Sequence, residues 1–409
     1  MTIEKELILI KERNMTNPIL EGKTPQIKGF YDRKFKSLFN IFEDNLLRRG
    51  ANSDIGASIY LSIHGEALVD LYGGYQNPIL NKEWEEDTLC CCWSVSKTIP
   101  ALLTIILIDR GLLDIEKPVA YYWPEFGKNN KENILIKHIL NHTAALSYLD
   151  GELLPGEILN WEKMVKAIEN TSPNWVPGEK IGYLNMTFGF LLGELCRRVN
   201  GDRKLSQHFK EDISDPFNID WHFSLDDEKI SRVAKVFQSD PNLFNDMILK
   251  EPNSIFSKSM KGRNPSEDYN SIEWHKAENG SGTSHTNARA MGRLYNMLSS
   301  GKTDDGTILF SDKILEMIST KSIKGIDNLT NSYEMCFSIG FEMNCTPATP
   351  MGPSNRSFGY LGAGGSIAFS DPEIKMSFAY SHNFMHMGVG PGPCGLPLVE
   401  EVISLCKKL

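Results

Sequence analysis

Strand-forming segments stand at both ends of this chain and helix-forming segments fill the middle, an order that few folds accommodate. Near the start, "ASIYLSIHGEALVDLYGG" sets two apolar runs around His64-Gly65-Glu66 and reads as a β-hairpin. The last quarter carries "CFSIGFEMN" and then "GGSIAFSDPEIKMSFAYSHN", a second hairpin turning at Asp371-Pro372-Glu373. Between them the pattern is helical. "TIPALLTIILIDRGLL" is apolar nearly all round, as a buried helix must be, although Pro100 removes one backbone donor and predicts a bend near its start. "NWEKMVKAIEN", "MTFGFLLGELCRRVNG" with its Asn-Gly stop, and "SHTNARAMGRLYNMLSSG" are further helices. Two more are predicted near the ends, an amphipathic one over Tyr31–Gly50 and a closing one over Leu396–Lys407.

Sheets cannot form from strands that never meet, so the two ends must fold back on each other. The expected fold class is α/β (α+β), an antiparallel sheet flanked by helices, built from both termini, with an inserted all-helical domain. The predicted organisation is an irregular N-terminal extension at 1–24, a sandwich domain from 25–92 and 285–409, and a helical domain at 93–284. A ligand cleft is expected between the two domains. A length of 409 residues suits two packed domains or one large mixed one.

Charge and apolar pattern narrow the partners. A formal charge of −9 with no basic block argues against nucleic acid and against an anionic membrane surface. No apolar run reaches the roughly 18 residues of a membrane helix. The opening "MTIEKELILIKERN" holds only a four-residue apolar stretch between charges, unlike a secretory signal, so the expected location is cytoplasmic. The eight cysteines, at 90, 91, 92, 196, 336, 345, 394 and 406, fit that compartment, with no CxxC pair and no disulfide framework in their spacing. Cys90–Cys92 read as a buried strand end filled by small apolar side chains.

"CCCWSVSKTIPALL" concentrates the candidate chemistry. Ser94-Val95-Ser96-Lys97 is a Ser-x-x-Lys, and residues three apart on a helix share a face, so the Ser94 hydroxyl and Lys97 ammonium can meet. At a helix start the free N–H groups favour developing negative charge, and a desolvated lysine loses its proton more easily. Such a lysine can take the serine proton. Ser96 stands beside Lys97 in sequence and points to another face. Further on, Tyr183-Leu184-Asn185 follows a Pro-Gly turn and precedes an apolar helix, which can aim a phenol and an amide into a cleft. "FGYLGAGGSIAFSDPE" is a Gly-rich entry to a strand, where a backbone N–H can bind an oxyanion.

Ser94-x-x-Lys97, Tyr183-x-Asn185 and "YLGAGGS" together resemble the three motifs of the serine β-lactamase and penicillin-binding protein superfamily. The likeness is strongest to class C β-lactamase-like serine hydrolases, the family VIII carboxylesterases, and runs in order over about residues 30–390. It implies that Ser94 is the nucleophile forming an acyl-enzyme, that Lys97 is its base, and that Tyr183 shares the proton transfer. Beside an ammonium the phenol is expected to favour its ionised form, the two titrating as a coupled pair. The resemblance puts the oxyanion hole at the N–H groups of Ser94 and Ala363, with Gly362 and Tyr360 beside it in the substrate site. Asn185 would orient the lysine or a substrate carbonyl. β-Lactamases begin the third motif with lysine where this chain has Tyr360, a loss that favours neutral esters or amides, unless Arg356 supplies the charge. Many relatives carry histidine where this chain has Leu184.

The expected activity is serine hydrolysis of a small ester or amide, with no cofactor and no metal. Rival readings are an acyltransferase using the same acyl-enzyme, a β-lactamase or D-aminopeptidase-like amidase, and a binding protein that kept the fold. His138 and His142 in "HILNH", and His382 and His386 in "SHNFMHMGVG", have zinc-like spacing but no clear third ligand, and read as structural. There is no Gly-x-Ser-x-Gly elbow, and "GAGGS" lacks the ending of a phosphate loop. Oligomeric state is not legible.

Overall fold

The structure, a computed structural model, describes residues 5–7, 26–48, 52–238, 243–263, 268–331, 333–386 and 390–408. Its described residues build one antiparallel sheet of eleven strands. The N-terminal part supplies β1 (Lys5–Leu7), β2 (Ile27–Asp32), β3 (Gly56–Ile63) and β4 (Glu66–Asn77), with Lys82–Glu83 pairing on β4. The C-terminal part supplies β5 (Ile323–Ile326), β6 (Glu334–Phe337), β7 (Glu342–Met343), β8 (Phe358–Leu361), β9 (Ile367–Asp371) and β10 (Met376–His382). The order across the sheet is β1-β2-β4-β3-β10-β9-β8-β7-β6-β5. The two ends of the chain therefore meet at one seam, β3 against β10, where Leu61 faces Phe378 in register. Two serine pairs stitch it, Ser58 to Ser381 at 2.9 Å and Ser62 to Ser377 at 2.8 Å. Both predicted hairpins are present, turning at His64-Gly65 and after Asp371.

Each sheet face is covered. Helices Lys36–Leu47 and Gly392–Cys406 pack on one face, burying Phe42, Leu46, Leu398 and Val402 against Ile59, Leu61 and Phe378. The helix Ala288–Ser300 crosses the other face, started by Asn287, whose side chain accepts from the Ala290 N–H. It comes so close that a Cβ on Gly292 would stand 2.0 Å from the Tyr60 ring. Beyond it the helix Thr98–Asp109 has Thr98 through Leu107 all buried, packed on the helix Thr187–Val199.

Some boundaries differ from the sequence expectation for local reasons. The first helix begins at Lys36, because Tyr31 and Asp32 end β2 and the Asp32 carboxylate caps a 3-10 turn at Arg33–Phe35. The closing helix starts four residues early, at Gly392. Pro100 lies in the first turn of its helix, where the N–H it lacks is one that α-helices leave unpaired, so it removes no internal α-helical bond. Residues 5–7 of the expected irregular extension pair with β2 as a strand, and the rest of that segment lies outside the described residues. Among the described residues no helix is long and apolar enough to cross a membrane.

The fully apolar helix is the hub of the larger core, which gives a direct test. Leu103→Ala, at a side chain with no exposure, is expected to cost about 2–5 kcal/mol by cavity formation, read as a fall in urea midpoint.

Candidate active site

The nucleophile segment is held by a small sheet of its own. Cys90 and Cys91 pair with Thr286 and His285, which pair in turn with Trp221 and His222. Just after it, the Cys92 thiol, Ser96, Ser284 and the Trp221 indole form a buried cluster: Cys92 Sγ lies 2.9 Å from Ser284 Oγ, which donates to Ser96 Oγ at 2.7 Å and accepts from Trp221 Nε1 at 2.8 Å. That cluster removes two rival nucleophiles from the cleft. Ser96 is fully buried, and burial pushes the Cys92 thiol up to about 11 and the Cys90 thiol well above its usual range.

Ser94 stands on a 3-10 turn, Trp93–Lys97, entered through Trp93 at φ +51°. In a 3-10 turn residues three apart eclipse, so the Ser94 and Lys97 side chains stack more directly than on an α-helix. Lys97 Nζ donates to Ser94 Oγ at 3.0 Å and to the Ser281 carbonyl at 3.1 Å. It also lies 4.7 Å from the centre of the Tyr183 ring. Lys97 has no solvent exposure, and that desolvation lowers its pKa to about 7, with the Glu342 carboxyl pulling the other way.

Tyr183 corrects an expectation. Its phenol reaches the Ser94 side chain, but burial, reinforced by Glu342, holds it far above the ordinary tyrosine range. The lysine meets the ring face rather than the phenol oxygen, so the phenol keeps its proton instead of ionising beside an ammonium. The Tyr183-Leu184-Asn185 turn is pinned from behind. Asp327 accepts from the Tyr183 N–H at 2.8 Å, and His142 Nδ1 accepts from the Leu184 N–H at 3.0 Å while its ring stacks on Tyr183 and Phe188. His142 is thereby a neutral buttress, and His138 Nδ1 accepts from the Leu135 N–H at its own helix start. Leu184 is buried core. Asn185 lines the cleft, yet its amide donates to Met260 Sδ at 3.2 Å and leaves Lys97 to Ser94 and Ser281.

The third motif approaches through Gly362. A Cβ there would lie 2.6 Å from the Cys92 carbonyl, so only glycine lets β8 reach the nucleophile turn. The Gly362 N–H is spent on the Ser366 carbonyl and offers the site no donor, contrary to its expected binding role. Ala363 follows, lining the same cavity as Ser94, and among the described residues the N–H groups of Ser94 and Ala363 donate to nothing. Two unengaged donors at one cavity have the composition of an oxyanion hole. Tyr360 is a second correction: it is fully buried, its hydroxyl donates to the Gly340 carbonyl at 2.8 Å, and it faces Phe341 and Phe188 rather than the cleft. Arg356 pairs with Glu316 and Ser319 at the surface and supplies no charge to the site.

The cavity beside Ser94 is about 50 Å³. Trp93, Tyr269 and Trp274 wall it, the first two edge-to-face at 4.7 Å, with Met186, Phe244 and Ile158. Arg263 also lines it, held by Asn245 at 3.0 Å and Tyr269 at 2.9 Å. Sequence reading missed Arg263, Ser281 and Glu342. The signal for Ser281 was "NGSG", whose flanking Gly280 packs on Gly189; the signal for Glu342 was a lone acid inside the apolar "GFEMN". Glu342 is buried with Oε1 unpartnered among the described residues, and burial raises its carboxyl to about 8.

A separate buried group, Asp54, His386 and Cys394, brings potential ligand atoms within 4.8 Å of one another behind the Gly364-Gly365 turn. Both Asp54 oxygens accept from the Tyr380 hydroxyl at 2.8 Å and Cys394 donates to the Asn52 carbonyl at 3.4 Å. The group is thus a hydrogen-bonded brace for that turn.

A large antiparallel sheet drawn from both termini and a serine–lysine pair at a cleft define a hydrolase of the serine β-lactamase-like class. Residues 44–391 match the family model described as "Beta-lactamase", and the chain belongs to that family. It is 26% identical over 352 residues to the "Esterase/beta-lactamase LipL" of Mycobacterium tuberculosis, covering 80% of this chain and 77% of that protein. The crystal structure of a family VIII carboxylesterase superposes with a TM-score of 0.82 at 27% identity, covering 93% of this chain and 99% of the other. A penicillin-binding protein homologue from Caulobacter crescentus gives 0.81 at 28% identity over the same shares. The protein is an enzyme of the esterase/β-lactamase family.

Burying Lys97 has a stability consequence of fixed sign. With the folded pKa near 7 and the unfolded one at 10.5, the unfolded chain holds the extra proton between those values, so this group destabilises the fold at pH 7 and ceases to by about pH 10.5. Lys97→Met is expected to stabilise the protein by about 2–4 kcal/mol at pH 7, with the gain shrinking towards pH 10 in urea titrations.

Proposed function

We propose that this protein hydrolyses esters of small acyl groups through an acyl-enzyme on Ser94. The observation that carries the reading is the fully buried Lys97, its Nζ 3.0 Å from Ser94 Oγ, beside a cavity with two unengaged backbone donors. Near neutral pH a lysine lowered to about 7 is about half free amine, and that form can accept the hydroxyl proton. Ser94 Oγ then attacks the ester carbonyl, and the carbonyl oxygen, as it gains charge, moves onto the N–H groups of Ser94 and Ala363. The protonated Tyr183, already at the Ser94 side chain, is placed to pass a proton to the departing alcohol oxygen. Water then attacks the acyl carbon and gives a proton to the Tyr183 phenolate left by the first step, and as the acid leaves the Lys97 ammonium returns its proton to Ser94 Oγ.

The ester preference rests on two features. A cavity of about 50 Å³ walled by aromatic rings suits a chain of a few carbons. The third motif offers no side-chain cation to a substrate carboxylate, since Tyr360 is turned into the core, and the Arg263 guanidinium that lines the cavity is engaged by Asn245 and Tyr269.

The test is hydrolysis of p-nitrophenyl acetate, butyrate and dodecanoate. Ser94→Ala is expected to abolish turnover, and Lys97→Ala and Tyr183→Phe each to lower kcat/KM by about 10²–10⁴-fold. The acetate and butyrate are expected to exceed the dodecanoate by at least about 100-fold. For the wild type, kcat/KM should rise with pH through a midpoint near 7 as Lys97 loses its proton. Near wild-type turnover in Lys97→Ala would remove the lysine from the reaction, and full activity in Ser94→Ala would remove the nucleophile.

A further inference from the structure

All eight cysteines are free and buried, but one pair stands apart from the rest. Cys336 Sγ and Cys345 Sγ lie 2.8 Å apart, within about an ångström of a covalent S–S bond. The backbone makes this possible. Phe337 opposes Glu342 where β6 pairs with β7, so Cys336 and Cys345 fall an even number of positions from directly opposed residues and project to one face. By contrast Cys90, Cys91 and Cys92 are consecutive, and Cys196 meets the Thr104 hydroxyl at 3.3 Å.

We propose that Cys336 and Cys345 are a site of reversible covalent modification, closing to a disulfide when the protein meets a thiol oxidant such as glutathione disulfide. The entry sulfur is Cys345, 4.0 Å from the Glu334 carboxylate and beneath the exposed Lys324–Glu334 ion pair. In the first step the Cys345 thiolate attacks one sulfur of glutathione disulfide, its proton going to solvent and a glutathione thiolate leaving. In the second, the Cys336 thiolate attacks the Cys345 sulfur of the mixed disulfide and expels the other glutathione thiolate. The protein loses two electrons and two protons, and glutathione disulfide becomes two glutathiones. Burial and the neighbouring Cys336 push the Cys345 thiol up to about 12, so attack waits for opening of the adjoining edge strand β5, whose Lys324 pairs with Cys336.

The link would tie together the hairpin that pairs beside the third-motif strand β8. Inside its loop are Gly340, whose carbonyl accepts from Tyr360 and whose N–H donates to the Leu140 carbonyl, and Glu342, which faces Lys97. The proposal stands on the sulfur geometry and is independent of which ester is cleaved.

Full-length protein purified under reductant is held overnight with excess glutathione disulfide, then denatured, alkylated and mass-mapped. The expected result is a loss of about 2 Da before alkylation, six alkylated cysteines of the eight, and one peptide joining Cys336 to Cys345, all reversed by dithiothreitol. Cys345→Ser should lose the cross-link and keep seven alkylated cysteines. Eight alkylated cysteines in the wild type, a lasting glutathione adduct without a cross-link, or a link through any other cysteine overturns the proposal. The wild-type map decides the matter even where the serine variant fails to fold.

Discussion

A lysine side chain buried away from solvent organises this molecule. Lys97 is enclosed by the start of the buried helix and the Ser94 hydroxyl from its own segment, and by the Tyr183 ring and the Ser281 carbonyl from two distant parts of the chain. Excluding water there needs a helix apolar on every side, and Thr98–Leu107 supplies it. It needs the Asn279–Gly282 turn pressed close, which Gly189 and Gly280 permit by lacking side chains. It needs Tyr183 held rigidly, which Asp327 and the neutral ring of His142 accomplish. Fold and site are in this sense one problem: the packing that stabilises the core also removes the hydration that would keep the lysine charged.

The second half of the constellation arrives from the sheet. β8 reaches the nucleophile turn only because Gly362 can sit against the Cys92 carbonyl, and the chain then bends through Gly364 at φ +81° and Gly365 at φ +121°. A Cβ on Gly364 would strike Met385 at 2.6 Å, so the bend is fixed by what lies behind it. The Asp54, Tyr380 and His386 group braces that same bend, with the His386 N–H donating to the Gly364 carbonyl at 3.1 Å. The position of the Ala363 donor is therefore set by buried polar contacts well away from any substrate.

Local pattern made much of this legible. The hairpins, the all-apolar helix and the Ser-x-x-Lys spacing are each contained within a few residues, and their period or turn chemistry survives into the structure. What escaped was long-range. Ser281 is 184 positions from the lysine it binds, and it acts through a backbone carbonyl, which any residue has. Asn185 and Tyr360 sit in the matching motif positions, but the direction of each side chain is set by Met260 and Gly340, which no motif includes. The phenol's protonation was misjudged because proximity to a lysine was read as proximity to a charge, whereas burial acts on both groups at once. The cysteine pair escaped because only the β6–β7 register brings the two sulfurs together.

Glu342 and Lys97 make a last point about charge. Burial, outweighing the attraction between the two groups, raises the carboxyl to about 8 and lowers the amine to about 7. An ion pair between them would have to repay the desolvation of two charges, and no direct hydrogen bond joins them to help. The neutral acid and neutral amine are the cheaper pair, and they leave the lysine able to accept the proton of Ser94. A permanently ionised acid at position 342 would instead hold Lys97 protonated and close to solvent values. The burial of Glu342 is thus a second condition of a basic Lys97, after the burial of Lys97 itself.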